Sequence, residues 1–230
     1  LGLPYVGGLS FQKVSKDIPK NFTPNLSDDE LQAIRLKMDE AGVRMLTYYY
    51  HTIPNDEAGC RAVFEFGRKM GIEVFMTEPA VEALPMIDRF CQEYGIKVGL
   101  HNHDRKASPH YWSPEAILRV CEGRSSYMGA CADVGYWMRD GIDPVKGIEQ
   151  LKDRLITLQL HDLDVAGPKG ADVPWGCGAG QTEALLRKMH ELRAKPVMVG
   201  LEYSRDWLEN EPPVQRCIEF FNQLSLSLSK

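Results

Sequence analysis

No two cysteines in the chain form a C-x-x-C pair. The six (Cys60, Cys91, Cys121, Cys131, Cys177 and Cys217) stand singly, the pattern of buried thiols rather than of zinc ligands or a disulfide framework. Long hydrophobic runs are missing as well. No stretch approaches the roughly 18 consecutive apolar residues of a membrane span, so no membrane partner is expected. Positive charge is in deficit: 27 Lys and Arg against 32 Asp and Glu leave a net charge of -5. A protein that grips a phosphate backbone normally carries a basic face, so nucleic acid is not an expected partner. Linkers and low-complexity tracts are also lacking, and the 230 residues read as one domain spanning 1–230. The chain starts at Leu1 rather than Met and shows no signal peptide. The expected location is cytoplasmic, or periplasmic or secreted if a leader has been removed.

What is present is an alternation of apolar β-type runs with amphipathic helical runs. Strands are expected at Tyr5–Phe11, Val43–Tyr50, Ile72–Thr77, Ile96–His101, Ala130–Asp133, Leu155–His161 and Val197–Glu202. Helix starts carry capping signals. Ser27-Asp28-Asp29-Glu30 is a capping box, Ser113-Pro114-Glu115 puts Pro at the first helical position, and Asp143-Pro144 repeats that logic. Further helices are expected at Asp56–Met70, closing at Gly71, at Val81–Tyr94, closing at Gly95, at Thr182–Ala194 and at Pro213–Leu226. Strands alternating with helices imply a parallel sheet. The fold class is therefore α/β, a TIM-type (β/α) barrel. Eight units close such a barrel and seven are visible, so the first β/α unit is expected to be missing, or its place taken by an open barrel or a partner chain.

Five of these runs stop at a metal-binding type of side chain: Glu78 in VFMTEP, His101 and His103 in KVGLHNH, Asp133 in MGACADVG, His161 in LITLQLH, and Glu202 in VMVGLEY. Strand parity sends several of them the same way. Thr157, Gln159 and His161 alternate with Ile156, Leu158 and Leu160, and Met198, Gly200 and Glu202 with Val197, Val199 and Leu201. The apolar set would face helices and the mixed set the barrel axis. A carboxylate such as Glu202 on that inward set is costly unless paired, so a ligand or base is expected there rather than packing. His101 and His103 share a parity, so one could bind metal while the other moves a proton. Glu78 reads equally as ligand, base or helix cap. Asp164 could orient the loop or the His161 imidazole. Tyr49 and His51, with Trp112, Trp137 and Trp175 in expected strand-exit loops, could form a sugar-stacking wall, with plain packing as the alternative. Arg139 joins these and Asp164 as an expected substrate contact. Mixed imidazole and carboxylate donors suit Mn²⁺, Co²⁺, Zn²⁺ or Fe²⁺ better than Ca²⁺. The expected cofactor is a divalent metal (Mn²⁺, Zn²⁺, Co²⁺ or Mg²⁺) that polarises a carbonyl while a side chain moves the neighbouring proton.

In motif order the chain resembles the xylose isomerase-like β/α barrels, the sugar phosphate isomerase/epimerase superfamily. VGLHNH stands where such proteins carry L-E-N-H, ADVGYW at D-x-G-H, LHDLD at H-x-K-D, PWGCGAG at a G-x-G loop, and VGLEY at the closing strand. The resemblance implies a metal held by Glu, Asp, His and Glu. Asp133, His161 and Glu202 match directly, and His101 stands at the first Glu position. Tyr136 stands at the His of D-x-G-H, a place associated with substrate contact or proton transfer. The implied activity is a metal-dependent sugar isomerase or epimerase working by proton abstraction, with catalytic candidates His103, Glu202, Glu78 and Tyr136 and metal ligands His101, Asp133, His161 and Glu202. The alternatives are a lyase, dehydratase or hydrolase on a keto-sugar, or a non-catalytic sugar-binding barrel. An abasic-site endonuclease of the same superfamily would need more histidines and a basic surface. A sugar is the expected small-molecule partner, and an exposed first edge makes a homodimer an expectation.

Overall fold

The computed structural model describes residues 1–229. Its seven strands form one sheet in chain order, β1 (Tyr5–Leu9), β2 (Arg44–Tyr49), β3 (Val74–Thr77), β4 (Lys97–His101), β5 (Met128–Asp133), β6 (Leu155–Leu160) and β7 (Val199–Leu201). The registers place β1 parallel to β2, β2 to β3, β3 to β4, β5 to β6 and β6 to β7. Sequential strands side by side, each followed by a helix, are the (β/α) arrangement of a TIM-type barrel with seven units. The helices are α1 (Asp28–Glu40), α2 (Glu57–Met70), α3 (Leu84–Tyr94), α4 (Pro114–Val120), α5 (Val134–Arg139), α6 (Pro144–Leu151), α7 (Thr182–Glu191) and α8 (Glu211–Leu228). None among the described residues is long and apolar enough to cross a membrane.

Local chemistry sets most boundaries. The Ser27 side chain accepts from Glu30 N while the Glu30 side chain accepts from Ser27 N, so the capping box starts α1 as expected. Asp56 and Ser113 cap α2 and α4 in the same way, and Asp143 accepts from both Val145 N and Lys146 N at the start of α6. Helices α2 and α3 stop at Gly71 and Gly95, which adopt the left-handed conformation. One helix was not expected: α5 follows β5 without a loop, because Asp133 ends the strand and its carboxylate immediately caps the helix by accepting from Tyr136 N.

The chain packs as two compact units. The first holds Leu1–Leu100 with Gly123–Gly129. Its core is aromatic: Phe64 meets Phe75 and Phe90 at ring separations of 5.4 and 5.6 Å. Burying each such ring contributes about 1.5–3 kcal/mol. The second unit holds His101–Glu122 and the chain from Ala130 onward. Here Trp137 of α5 is 1 % exposed and lies flat on α6, where a Cβ at Gly147 would come within 2.7 Å of the indole. Leu158, Leu160, Ile148, Leu151 and Leu185 complete its apolar interior.

Candidate metal centre

The candidate centre lies within the second unit and begins with Asp133. Its backbone is held on both sides by Asn102, whose side-chain amide donates to Asp133 O and accepts from Asp133 N, each at 2.9 Å. One carboxylate oxygen, Oδ1, accepts from Tyr136 N at 3.0 Å. The other, Oδ2, faces two imidazole nitrogens, His101 Nε2 at 3.6 Å and His161 Nε2 at 3.7 Å. Both histidines are almost completely buried. Glu202 follows β7 and brings Oε2 to 3.7 Å from His161 Nε2, while Gln159 of β6 donates to that same oxygen at 2.7 Å. The inward parity read from the two strands therefore holds. Gln159, His161 and Glu202 meet, and Asp133 is the register partner of Gln159.

Asp172 fixes the orientation of His161. Its Oδ1 lies 2.7 Å from His161 Nδ1, and its Oδ2 accepts from Ser204 N at 2.9 Å and from the Ser204 hydroxyl. A carboxylate cannot donate, so Nδ1 carries a proton and Nε2 is the nitrogen left to face Asp133 and Glu202. That Nε2 is buried and has no hydrogen-bond partner among the described residues. A nitrogen facing two carboxylates at this distance is costly unless a proton or a cation lies between them.

The geometry fits a divalent ion. Asp133, His161 and Glu202 each offer a donor atom within 4.8 Å of the others. Donors bound at about 2.0–2.2 Å sit about 3–3.5 Å apart, so the observed 3.6–3.7 Å spacings need to contract by only a few tenths of an ångström. The electrostatics agree. Burial would raise the Asp133 carboxyl, but the neighbouring His161 and His101 outweigh it and hold it well below the usual carboxylate range. Burial would likewise depress His161, yet Asp133, with Asp172 and Glu202, lifts it well above its ordinary value. The site attracts positive charge at Nε2, whether proton or metal.

The G-x-G loop is shaped by Asp162, which sits directly after His161. Its carboxylate accepts from Gly176 N, Gly178 N and Gly180 N at 2.8–3.0 Å. A Cβ at Gly178 would lie 2.3 Å from Leu163 O, so only glycine fits. Asp164, expected to orient the loop or the imidazole, binds the loop at Ala171 N. The imidazole is oriented by Asp172 instead, brought in by an antiparallel bridge between Leu163 and Asp172. No strand or spacing signal marked Asp172, Asn102 or Ser204.

The remaining expected site residues make contacts of their own. His103 packs its ring edge-on against His101 at 4.6 Å and against Tyr136 at 4.8 Å. Burial, then Asp133, pushes the Tyr136 phenol above its ordinary value. Arg139 lies over the Tyr136 ring at 5.6 Å. Trp112 is half-buried with the Arg105 guanidinium on its ring at 4.7 Å. Trp137 corrects the sugar-wall expectation: it belongs to α5, not to a loop, and its burial on Gly147 leaves no ring face for a ligand. Trp175 is in the loop but 5 % exposed, its indole N–H donating to Leu160 O and its ring edge-on to Phe221, so it braces the site from within. Tyr49, His51 and Glu78 belong to the first unit and meet one another there. Tyr49 donates to Glu78 Oε1 at 3.1 Å and has His51 Nδ1 at 2.8 Å.

Residues 8–224 match the family described as the xylose isomerase-like TIM barrel. Among solved structures, a putative uncharacterized protein from Parabacteroides distasonis is 27% identical, covering 96% of this chain and 88% of its own, with a TM-score of 0.74. A D-tagatose 3-epimerase-like protein is 17% identical over 96% of this chain and 99% of its own, with a TM-score of 0.70. The IOLI protein, whose structure holds a zinc atom, is 16% identical over 97% of this chain and 88% of its own, with a TM-score of 0.67. No curated protein matches the chain. With its strands in sequential order and a family match over nearly its full length, the chain belongs to the xylose isomerase-like TIM barrel family.

Proposed function

We infer that the protein is a metal-dependent enzyme of the sugar isomerase/epimerase type, moving a proton on the carbon next to a carbonyl of a sugar or sugar derivative. The observation that carries this reading is the buried His161 Nε2, which lacks a hydrogen-bond partner among the described residues and faces Asp133 and Glu202 at 3.7 Å. Asp133, His161 and Glu202 would hold a divalent ion, and His101, whose Nε2 lies 3.6 Å from Asp133 Oδ2, stands beside that group. When bound, such an ion would supply Lewis acidity to a substrate carbonyl.

The side chains divide the remaining work. Asp172 and Asn102 keep His161 and Asp133 in place, so the donors need no reorganisation. His103 lies beside His101, and an imidazole there is placed to take and return the proton. Tyr136, with its phenol raised, stays protonated near pH 7 and acts as a hydrogen-bond donor rather than a base. That last property also favours a second reading. An imidazole base next to a phenol acid is the pair an elimination requires, with the phenol protonating the leaving oxygen, and this supports a lyase or dehydratase using the same centre.

The test combines elemental analysis with a panel of aldoses, ketoses and keto-sugars. The expected result is one equivalent of divalent metal and turnover that His161→Ala and Glu202→Gln abolish. A folded wild-type protein that takes up no stoichiometric divalent ion, or activity that survives both substitutions, would sink the reading.

A further inference from the structure

We propose that Arg139 receives a negatively charged group, a carboxylate or a phosphate, on the substrate, so that the centre works on anionic sugars rather than neutral ones. The inference rests on the metal-dependent sugar reading above and adds the substrate class. It begins with Gly135. A Cβ there would lie 2.8 Å from the His161 ring and 3.1 Å from Arg139 Nη1. Arg139 is four residues further along α5, and helical side chains lean back toward the helix N-terminus. The guanidinium therefore runs back to Gly135, which also borders the imidazole whose Nε2 faces Asp133 and Glu202.

Two contacts hold it there. The Tyr136 ring lies under it at 5.6 Å, and Nη2 donates to Gly170 O at 3.4 Å. Neither contact neutralises its charge. Among the described residues no carboxylate comes within ion-pair distance of Arg139, although the residue is partly buried. The carboxylate next in the chain, Asp140, is turned away to accept from Arg105 N. A partly desolvated guanidinium with a planar fork and no anion is matched by a carboxylate or phosphate, which accepts two parallel N–H bonds.

The experiment titrates metal-loaded protein calorimetrically with D-glucose, D-glucuronate and D-glucose 6-phosphate. Wild type, Arg139→Met and Arg139→Lys are compared, with metal content and melting temperature recorded for each. A charged hydrogen bond predicts that wild type binds one anionic probe about 10- to 100-fold more tightly than glucose, and that Arg139→Met erases the preference at unchanged metal content. Arg139→Lys keeps charge without the fork and is expected to retain part of the preference. Whichever of glucuronate or glucose 6-phosphate binds tighter identifies the anion. The proposal is overturned by equal affinity for all three probes, by no binding of either anion, by a preference that survives Arg139→Met, or by loss of metal or melting temperature in both variants, which would make Arg139 a brace. Failure of wild type to hold metal is a separate result and counts against the enzyme reading itself.

Discussion

At the scale of single residues, the site depends on groups that touch no substrate. Asp172→Asn keeps the size of the side chain but weakens its hold on His161 Nδ1. Metal affinity is expected to fall about 10- to 100-fold, as is usual when the partner of a ligating imidazole is lost, and a metal titration checks it. Gly135→Ala pushes a methyl into the His161 ring at 2.8 Å and is expected to weaken metal uptake far more than it lowers the melting temperature. Thiol chemistry gives an independent test of burial. Burial raises the Cys60 thiol to about 12, and Cys91, Cys121, Cys131 and Cys217 are buried too, whereas Cys177 in the glycine loop is exposed. A thiol reagent at pH 8 should therefore titrate one cysteine in the native protein and six after denaturation.

At the scale of elements, capping was legible because it is local. Ser27, Ser113 and Asp143 all cap as read, since each needs only a backbone N–H two or three residues away. Asp143→Ala should cost about 1 kcal/mol in chemical denaturation, with no change in metal binding. Helix α5 was not legible. Six residues are too few for a periodic signal, and its start is set by Asp133, a residue the sequence marks only as a strand-end ligand. The same hidden helix removes Trp137 from the expected sugar wall by turning it onto Gly147. It is also what carries Arg139 back to His161.

At the scale of the whole molecule, the metal should behave as a folding ligand. Saturation at about 100 times its dissociation constant adds about 2.7 kcal/mol, so a divalent ion should raise the melting temperature and a chelator reverse it. The dependence on pH has a definite sign. His161 lies above its ordinary value of 6.5 when no metal is bound, so its stabilising contribution is complete below that pH and is lost as pH rises through the raised value. Asp133 lies below its ordinary 3.8, so its contribution is present above that and is lost only as pH falls further. Metal and proton compete for the same Nε2. Metal uptake near pH 7 should therefore release a proton, and apparent affinity should climb with pH, both measurable by calorimetry in buffers of different ionisation enthalpy.

The sequence alone determined the alternation of strands and helices, the strand parity, and the placement of His161 and Glu202 on a common side. Those features follow from periods of 2 and 3.6 residues and from caps, all of which act within a few positions of the chain. Only the tertiary structure decided which of several loop aspartates reaches His161, which tryptophans are buried, and that a glycine four residues before Arg139 leaves room for its guanidinium. Those outcomes depend on how loops cross and on which side chains share a space, and no local pattern in a single chain encodes that.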